Sequence, residues 1–272
     1  MLIWQDGDWR VSETVSSRDR GFLLGDGLFE TMLAQEGRVR RLDRHWRRLT
    51  TSAQALGFPV DLKVEEVARG IATLIALDPA LRSYAALRLT LSRGIGPRGL
   101  LPPELPLVTW RLAGAAYQPP RGPAILARTA IRRDPDLPSC RHKTLSMIDQ
   151  IAATQEARAQ GASHGLLFGP HERIACATSA NLWILRDGQA LTPPIVDGAM
   201  AGVTRAALLE AAVGRAREAS LGWDDLLAAD GIFLSNALMG LLPARPIGAS
   251  GGPSASAIAR IAKLQDLLTE AG

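Results

Sequence analysis

The stretch Arg-His-Lys-Thr-Leu-Ser-Met-Ile, residues 141–148, contains one of only three lysines among the 31 basic side chains of this 272-residue chain. The other two, Lys63 and Lys263, lie in charged stretches with helical spacing, where we expect them to be solvated. An amine can lose its proton and attack a carbonyl carbon, whereas a guanidinium cannot. Lys143 is therefore a candidate Schiff-base lysine. The alternative is a lysine retained by chance at a helix start.

The composition indicates a globular protein with a substantial core, since 47% of the residues are hydrophobic and 21% are charged. Acidic residues occupy the start of the chain, where a signal peptide needs an apolar run. No stretch approaches the ~18 uninterrupted apolar residues of a membrane span. Cys140 and Cys176 are too few for a disulfide framework and lack metal-ligand spacing. We therefore expect a cytoplasmic protein with reduced thiols, no metal and no membrane partner.

Six arginines fall within residues 38–48, and the formal net charge of the chain is +4. Such a cluster can indicate a nucleic-acid-binding surface. No zinc-finger, RNP-type or other recognisable nucleic-acid motif accompanies it, so we expect no nucleic-acid partner. The favoured interpretation is a solvated helix face combined with an anion site for a small ligand.

A proline- and glycine-rich stretch, Tyr-Gln-Pro-Pro-Arg-Gly-Pro at residues 117–123, resists both helix and sheet. We interpret it as a linker between a small N-terminal α/β domain, residues 1–116, and a larger C-terminal domain, residues 124–272. The second half of the chain mixes strands with helices, which is typical of an α+β arrangement.

Hydrophobic periodicity predicts the main elements. Helices are predicted from Leu42 to before Gly57, and over residues 64–74, 145–160, 203–217 and 256–268. Strands are predicted over residues 2–5, 9–11, 29–34, 38–42, 86–92, 107–112, 124–131, 165–168, 173–177, 181–185 and 232–234. Two-residue turns are expected at Asp6-Gly7, Glu36-Gly37 and Asp187-Gly188, and Gly161 is expected to cap a helix.

Five motifs in order resemble the signatures of class IV aminotransferases, a family that includes branched-chain and D-amino-acid aminotransferases and aminodeoxychorismate lyase. They are Gly-Asp-Gly-Leu-Phe-Glu-Thr (25–31), His-Trp-Arg-Arg-Leu (45–49), Lys-Thr-Leu (143–145), Ser-Ala-Asn-Leu (179–182) and Gly-Val-Thr-Arg (202–205). The resemblance covers about the whole chain. It implies the two-domain fold type IV of pyridoxal-phosphate enzymes, like that of D-amino-acid aminotransferases, with cofactor binding in the larger C-terminal domain. The implied cofactor is pyridoxal 5′-phosphate.

The resemblance also implies roles for individual residues. Lys143 corresponds to the lysine that joins the cofactor and acts in catalysis. Arg48 corresponds to the arginine that binds the phosphate, a task that suits a guanidinium fork. Gly202, Val203 and Thr204 open a helix whose backbone amides and dipole can bind the same phosphate. An ordinary capped helix start is the alternative interpretation of these three residues.

The segment Phe-Leu-Ser-Asn-Ala-Leu-Met-Gly-Leu-Leu-Pro, residues 233–243, resembles the corresponding segment of aminodeoxychorismate lyases. Aminotransferases of this class usually have a Gly-Thr pair where this chain has Asn236 and Ala237. The resemblance places these two residues at the cofactor. It also places Thr31 and the side chain of Asn236 at the substrate pocket.

The loop Ser-Arg-Gly-Ile-Gly-Pro-Arg-Gly, residues 92–99, also resembles a loop of the lyases, although Leu100 replaces their tyrosine. D-amino-acid aminotransferases use a related loop to bind a carboxylate. Arg98 is thus a candidate for binding a substrate carboxylate. The alternative is a solvated loop cation.

One position departs from the family pattern. The family has a glutamate five residues before the asparagine of the Ser-Ala-Asn motif, where it pairs with the pyridine nitrogen of the cofactor. Counting back from Asn181 gives Cys176. A thiol, with an ordinary pKa of about 8.5, is a weaker partner than a carboxylate, so we expect a poorer electron sink and poorer transamination. A register slip, or another acid recruited in space, would remove this argument.

Together these features predict a lyase that converts 4-amino-4-deoxychorismate, a small dicarboxylate, to 4-aminobenzoate and pyruvate for folate biosynthesis. One alternative is a class IV aminotransferase acting on D- or branched-chain amino acids. Others are a cofactor-binding homologue without turnover and a basic nucleic-acid binder. The resemblance further implies a homodimer.

Overall fold

A computed structural model describes residues 1–270 of the chain. The internal contacts of the chain divide it into two compact units, and each is described separately below. The first unit comprises Met1–Pro119 and His142–Ser146, and the second comprises Pro120–Arg141 and the chain from Met147 onward. Lys143 thus belongs, by its contacts, to the first unit. The domain ranges deduced from the sequence remain a prediction.

The first unit contains a six-stranded sheet and three helices. Its elements in chain order are β1 (Leu2–Gln5), β2 (Asp8–Val11), α1 (Arg20–Leu24), β3 (Gly27–Gln35), β4 (Arg38–Val39), α2 (Leu42–Ala55), α3 (Val64–Leu77), β5 (Tyr84–Ser92) and β6 (Thr109–Ala116). The strand order is β2-β1-β6-β5-β3-β4, and neighbouring strands are antiparallel throughout.

Alternation along β3 and β5 gives this sheet one apolar face. Leu28, Met32 and Leu87 point to that face and are buried in the core of the unit. Leu49 of α2 and Ile71 of α3 belong to the same core, so the helices were correctly predicted from their apolar spacing. Between β1 and β2, and between β3 and β4, two-residue turns have positive φ at both central residues, as expected for tight hairpins.

Two predicted elements of the first unit are wrong at their ends. The strand expected to reach residue 42 stops at Val39, because Arg41 adopts the left-handed conformation (φ +58°) and Leu42 already begins α2. The helix expected from residue 145 does not begin there. Instead, the Leu145 amide donates to the Gly27 carbonyl at 2.9 Å, and Thr144 forms a β-bridge with Leu28. The Lys143 segment is therefore not helical, with one β-bridge at Thr144 between bends at His142 and Leu145.

The second unit contains an eight-stranded sheet and five helices. Its elements in chain order are β7 (Ala124–Arg132), α4 (Pro138–Arg141), α5 (Ile148–Ala159), β8 (His164–Phe168), β9 (Ile174–Ala177), β10 (Asn181–Arg186), β11 (Gln189–Thr192), α6 (Val203–Ala211), β12 (Ala216–Glu218), α7 (Trp223–Leu227), β13 (Gly231–Asn236), β14 (Gly240–Pro246) and α8 (Ala255–Glu270). The strand order is β12-β11-β10-β13-β14-β7-β8-β9, with parallel and antiparallel pairs.

Apolar side chains cover both faces of this second sheet. On one face, Trp183 and Phe233 stack with their ring centroids 5.6 Å apart and pack in one core with residues of α6 and α8. The helix predicted over residues 203–217 ends early, at Ala211, because Gly214 turns the chain with φ +76°. Residues 216–218 then form β12, which pairs in parallel with β11. Gly161 follows α5 with φ +82°, which confirms its predicted capping position.

The α+β fold expected from the sequence is confirmed, because both units combine a sheet with several helices. Across residues 1–270, no helix combines the length and apolarity needed to cross a bilayer. The same residues include no group of three or more His, Cys, Asp or Glu side chains arranged to bind a metal ion.

Candidate active site

The Lys143 segment is held against β3 and α2 by backbone and side-chain bonds. The Phe29 amide donates to the Lys143 carbonyl at 3.0 Å. The neighbouring His142 ring hydrogen-bonds to the Ser52 hydroxyl at 3.1 Å. Ser52 lies one helical turn after Arg48 on α2, on the same helix face. These bonds place the predicted Schiff-base lysine and the predicted phosphate-binding arginine on the same part of the first unit.

A buried carboxylate fixes Arg48. Both Glu30 oxygens accept from the Arg48 guanidinium, from Nε at 2.8 Å and from Nη2 at 2.6 Å. Glu30 Oε2 also lies 2.7 Å from Nδ1 of His45. His45 is 2% exposed and Glu30 is 1% exposed, so this cluster belongs to the interior. His45 therefore has a structural role, through the carboxylate that it shares with Arg48.

Burial alone would raise the pKa of Glu30, because a charged carboxylate loses water. Hydrogen bonds from His45 and Arg48 outweigh burial and hold the pKa of Glu30 below its ordinary value. The carboxylate is therefore ionised at neutral pH. It fixes the orientation of Arg48, whose binding of the cofactor phosphate remains a prediction.

Two cations contact the ring of Phe29 on β3. Lys143 Nζ lies 4.2 Å from the ring centroid, and Arg88 Cζ lies 3.6 Å from it. Thr31 pairs with Arg88 across β3 and β5, so all these side chains share the sheet face opposite the apolar core. Burial, and then the nearby charge of Arg111, lower the pKa of Arg88. This half-buried positive face was not predicted from the sequence.

The loop after β5 has a fixed backbone and an exposed Arg98. Arg20, which is buried, donates to the carbonyls of Gly99 at 3.0 Å and Leu100 at 2.9 Å. Arg20 also pairs with Asp26 at 2.8 Å, in the first family-like motif. The loop position is therefore well defined. The predicted role of Arg98 in binding a carboxylate remains a prediction.

In the second unit, Cys176 is enclosed on β9, with 6% of its surface exposed. Burial raises the pKa of its thiol, while the charge of Arg133 lowers it and Cys140 raises it further. The net shift is upward, so the thiol is neutral at neutral pH. No carboxylate within residues 1–270 is among the groups that shift this pKa. The role of Cys176 at the cofactor nitrogen remains a prediction.

The start of α6 is a tight cradle. Gly202 precedes the helix and provides no side-chain cap for the first amides, which belong to the buried residues Val203 and Thr204. A Cβ at Gly202 would lie 2.0 Å from Asn181 Oδ1, whose amide nitrogen donates to the Met200 carbonyl at 2.8 Å. Uncapped amides at a helix start can bind an anion. The cradle thus suits the phosphate that the sequence assigned to it.

Asn236 closes the turn between β13 and β14. Its Oδ1 accepts from the Leu238 and Met239 amides at 3.0 and 2.9 Å, and its Nδ2 donates to the Ser179 carbonyl at 3.2 Å. These bonds assign Asn236 a local structural role. Its contact with a cofactor or substrate, and that of the half-buried Ala237, remain predictions.

Sequence reasoning missed Glu30, Phe29, Arg88 and Arg133. One signal was available for Glu30, because it lies between Leu28 and Met32 on the inward-facing side of a strand. A carboxylate at such a position requires a cationic partner. The others carry no comparable local signal, since their partners are distant in sequence.

Comparisons with known proteins identify the family of this chain. The amino-transferase class IV family model matches residues 27–247. The chain belongs to the class IV aminotransferase family. It is 28% identical over 242 residues to a D-alanine aminotransferase of Listeria monocytogenes, a match that covers 86% of this chain and 82% of that one. It is 27% identical to an aminodeoxychorismate lyase of Vibrio harveyi, over 91% of this chain and 92% of the other.

A solved structure extends these similarities. The 4-amino-4-deoxychorismate lyase of Pseudomonas aeruginosa superposes with a TM-score of 0.81 at 30% identity, over 99% of this chain and 98% of that chain. Class IV enzymes depend on pyridoxal 5′-phosphate, which is the cofactor of this chain. The residue types present fit this cofactor: the first unit has an amine at Lys143, and in the second unit the helix start after Gly202 suits a phosphate. At position 176 this chain has a cysteine where the family has a glutamate.

Replacing Glu30 with glutamine should lower the free energy of unfolding by about 2–4 kcal/mol, because Arg48 and His45 lose their buried counter-charge. Urea denaturation measures this change. The lowered pKa of Glu30 stabilises the fold above the unfolded-state pKa of about 4.3, and this stability is lost as the pH falls through the folded-state pKa. The difference between the two proteins should therefore shrink in acid. A difference that is independent of pH would contradict this account.

Gly202→Ala should destabilise the protein by about 1–3 kcal/mol, because the added methyl group would strike the anchored Asn181 side chain. It should also weaken binding of pyridoxal phosphate. The matched control is Gly252→Ala, where a Cβ would meet nothing within 4 Å. Equal stability and equal cofactor affinity in the two variants would show that the cradle is not tightly packed.

Proposed function

We propose that this protein is a pyridoxal-phosphate-dependent lyase that converts 4-amino-4-deoxychorismate to 4-aminobenzoate and pyruvate, a step of folate biosynthesis. The observation that supports it most is the neutral, buried thiol of Cys176, at the position where the family has a carboxylate. The bound cofactor supplies an electron-withdrawing ring, which a carboxylate partner would strengthen. Transamination depends on that withdrawal. The lyase reaction depends on it less, because formation of an aromatic product favours elimination.

Lys143 is the proposed proton-transfer group. Its Nζ takes the proton from the ring carbon that bears the amine. The enolpyruvyl group then leaves the neighbouring carbon as pyruvate, after a proton is returned. The backbone bond between Lys143 and Phe29 holds the start of this side chain, and the Phe29 ring contacts its amine end. Lys143 therefore has a defined position from which to move a proton.

The positive face of the first unit suits a substrate with two carboxylates. Arg88 and Arg111 are both half-buried, and Thr31 lies opposite Arg88. A partly desolvated guanidinium attracts a carboxylate more strongly than a solvated one does. Arg98, on its fixed loop, is a further proposed carboxylate ligand. By family analogy we propose a homodimer located in the cytoplasm.

A class IV aminotransferase is the second candidate, and the similarity to a D-alanine aminotransferase favours it. A cofactor-binding homologue without turnover is a third. The deciding assay supplies aminodeoxychorismate alone, and D-alanine with 2-oxoglutarate in parallel. Both reactions release pyruvate, so the products to measure are 4-aminobenzoate and glutamate. Efficient formation of glutamate without 4-aminobenzoate would overturn the lyase proposal, and no product from either mixture would favour the third candidate.

Lys143→Ala should abolish the visible absorbance band of the lysine-bound cofactor and the formation of 4-aminobenzoate, because the amine is lost. Lys263→Ala, in the exposed part of α8, is the matched control. It should retain both. A Lys143→Ala protein that keeps the band would show that another group joins the cofactor.

Cys176→Glu should accelerate the transamination half-reaction with D-alanine by at least about tenfold, since a carboxylate partner strengthens the electron sink. Single-turnover spectroscopy measures this rate. Cys176→Ser keeps a neutral group and should change it little. An unchanged rate in the glutamate variant would contradict the importance assigned to this position.

A further inference from the structure

A buried cation in the second unit has no counter-charge. Arg133 is 4% exposed. Its Nε donates to the Gly198 carbonyl at 2.8 Å, and its Nη2 donates to the Cys140 carbonyl at 2.7 Å. Among residues 1–270, no carboxylate lies within ion-pair distance of this guanidinium. A guanidinium stays charged at all ordinary pH values, and burying an unpaired charge is unfavourable. This arrangement therefore calls for an explanation.

Arg133 lies beside the strand that contains Cys176. Its amide donates to the Phe168 carbonyl at the end of β8 at 2.9 Å, and β8 pairs with β9. A Cβ built on Gly198 would lie 3.2 Å from the Arg133 Cβ and 3.3 Å from the Ala175 Cβ. The Arg133 side chain thus starts next to the residue before Cys176. Ala175 and Cys176 pack in one buried cluster, so the Arg133 side chain starts beside that cluster. The charge of Arg133 opposes the rise in the pKa of the Cys176 thiol that burial causes.

We infer that Arg133 and the neutral thiol of Cys176 together hold the pyridine nitrogen of bound pyridoxal phosphate in its unprotonated form. This inference rests on the proposed assignment of Cys176 to the ring nitrogen. A protonated ring nitrogen is a cation, and a neighbouring cation in a buried site disfavours it. The thiol supplies no negative charge to compensate. Arg133 therefore acts in the direction opposite to the glutamate of the family.

By this inference, the unpaired charge of Arg133 helps to determine which reaction the enzyme catalyses. A ring nitrogen without a proton withdraws electrons less strongly, which penalises transamination more than an elimination that yields an aromatic ring. The competing explanation is that Arg133 only connects two backbone carbonyls, at Cys140 and Gly198. In that case its removal would lower stability but leave the protonation of the cofactor nitrogen unchanged.

The test uses the complete holoenzyme, loaded with pyridoxal phosphate that contains ¹⁵N in its ring. The ¹⁵N chemical shift distinguishes pyridine from pyridinium directly, without any measurement of activity. We expect the pyridine form in the unmodified protein near neutral pH and in Cys176→Ser, and the pyridinium form in Cys176→Glu. We expect Arg133→Met to raise the ratio of protonated to unprotonated nitrogen at least about tenfold at a given pH. Arg133→Lys, which keeps the charge, should shift this ratio much less.

A pyridinium signal in the unmodified protein would overturn the inference, even if Arg133→Met does not fold. An unchanged ratio in folded Arg133→Met would also overturn it and would leave Arg133 a purely structural role. A failure of the proposed function gives different results. If the cofactor does not join Lys143, or if no 4-aminobenzoate forms, the function is wrong. If 4-aminobenzoate forms but the nitrogen is protonated, only the inference about Arg133 is wrong.

Discussion

The buried carboxylate of Glu30 is the constraint on which the chemistry of the first unit depends. It lies on the apolar face of β3 and connects that strand to α2 through Arg48 and His45. On the other face of β3, Phe29 contacts Lys143 and Arg88. One strand thus separates an interior ion cluster from a positive face that contains the Lys143 amine. Because a buried ion cluster tolerates little displacement, the strand and the residues it positions are held in register.

The second unit differs, because its buried charge is a cation, Arg133, whose described bonds are to backbone carbonyls. Arg133 has no ion-pair partner among residues 1–270, and its charge acts on the buried thiol of Cys176. Replacing an acid by a thiol leaves the backbone of β9 intact but changes the charge that the strand presents. A family fold can therefore keep its lysine and its phosphate cradle while altering the electron demand of the cofactor. We propose that this difference favours the lyase reaction over transamination in this chain.

Local sequence patterns were sufficient for most elements of the fold. The spacing of Leu42, Trp46 and Leu49 predicted α2, and the Asp-Gly pairs predicted two hairpin turns. The wrong predictions had non-local causes. Residues 145–147 have a pattern compatible with a helix, but the Leu145 amide donates to the Gly27 carbonyl of β3, which keeps it out of a helix. Helix α6 ends early because the chain turns at Gly214. The spacing of apolar residues does not predict this turn.

In the candidate site, too, local motifs indicated some residues and missed others whose surroundings are non-local. Lys143, Arg48 and Gly202 were assigned to the site from family-like motifs, and their roles remain predictions. Arg133 was not assigned to it, because its environment is created by Gly198 and Cys140, which come from different parts of the second unit. The most direct test of the lyase assignment is a competition assay that contains aminodeoxychorismate, D-alanine and 2-oxoglutarate together. The account predicts that 4-aminobenzoate forms with a much larger kcat/KM than glutamate; a larger kcat/KM for glutamate would contradict it.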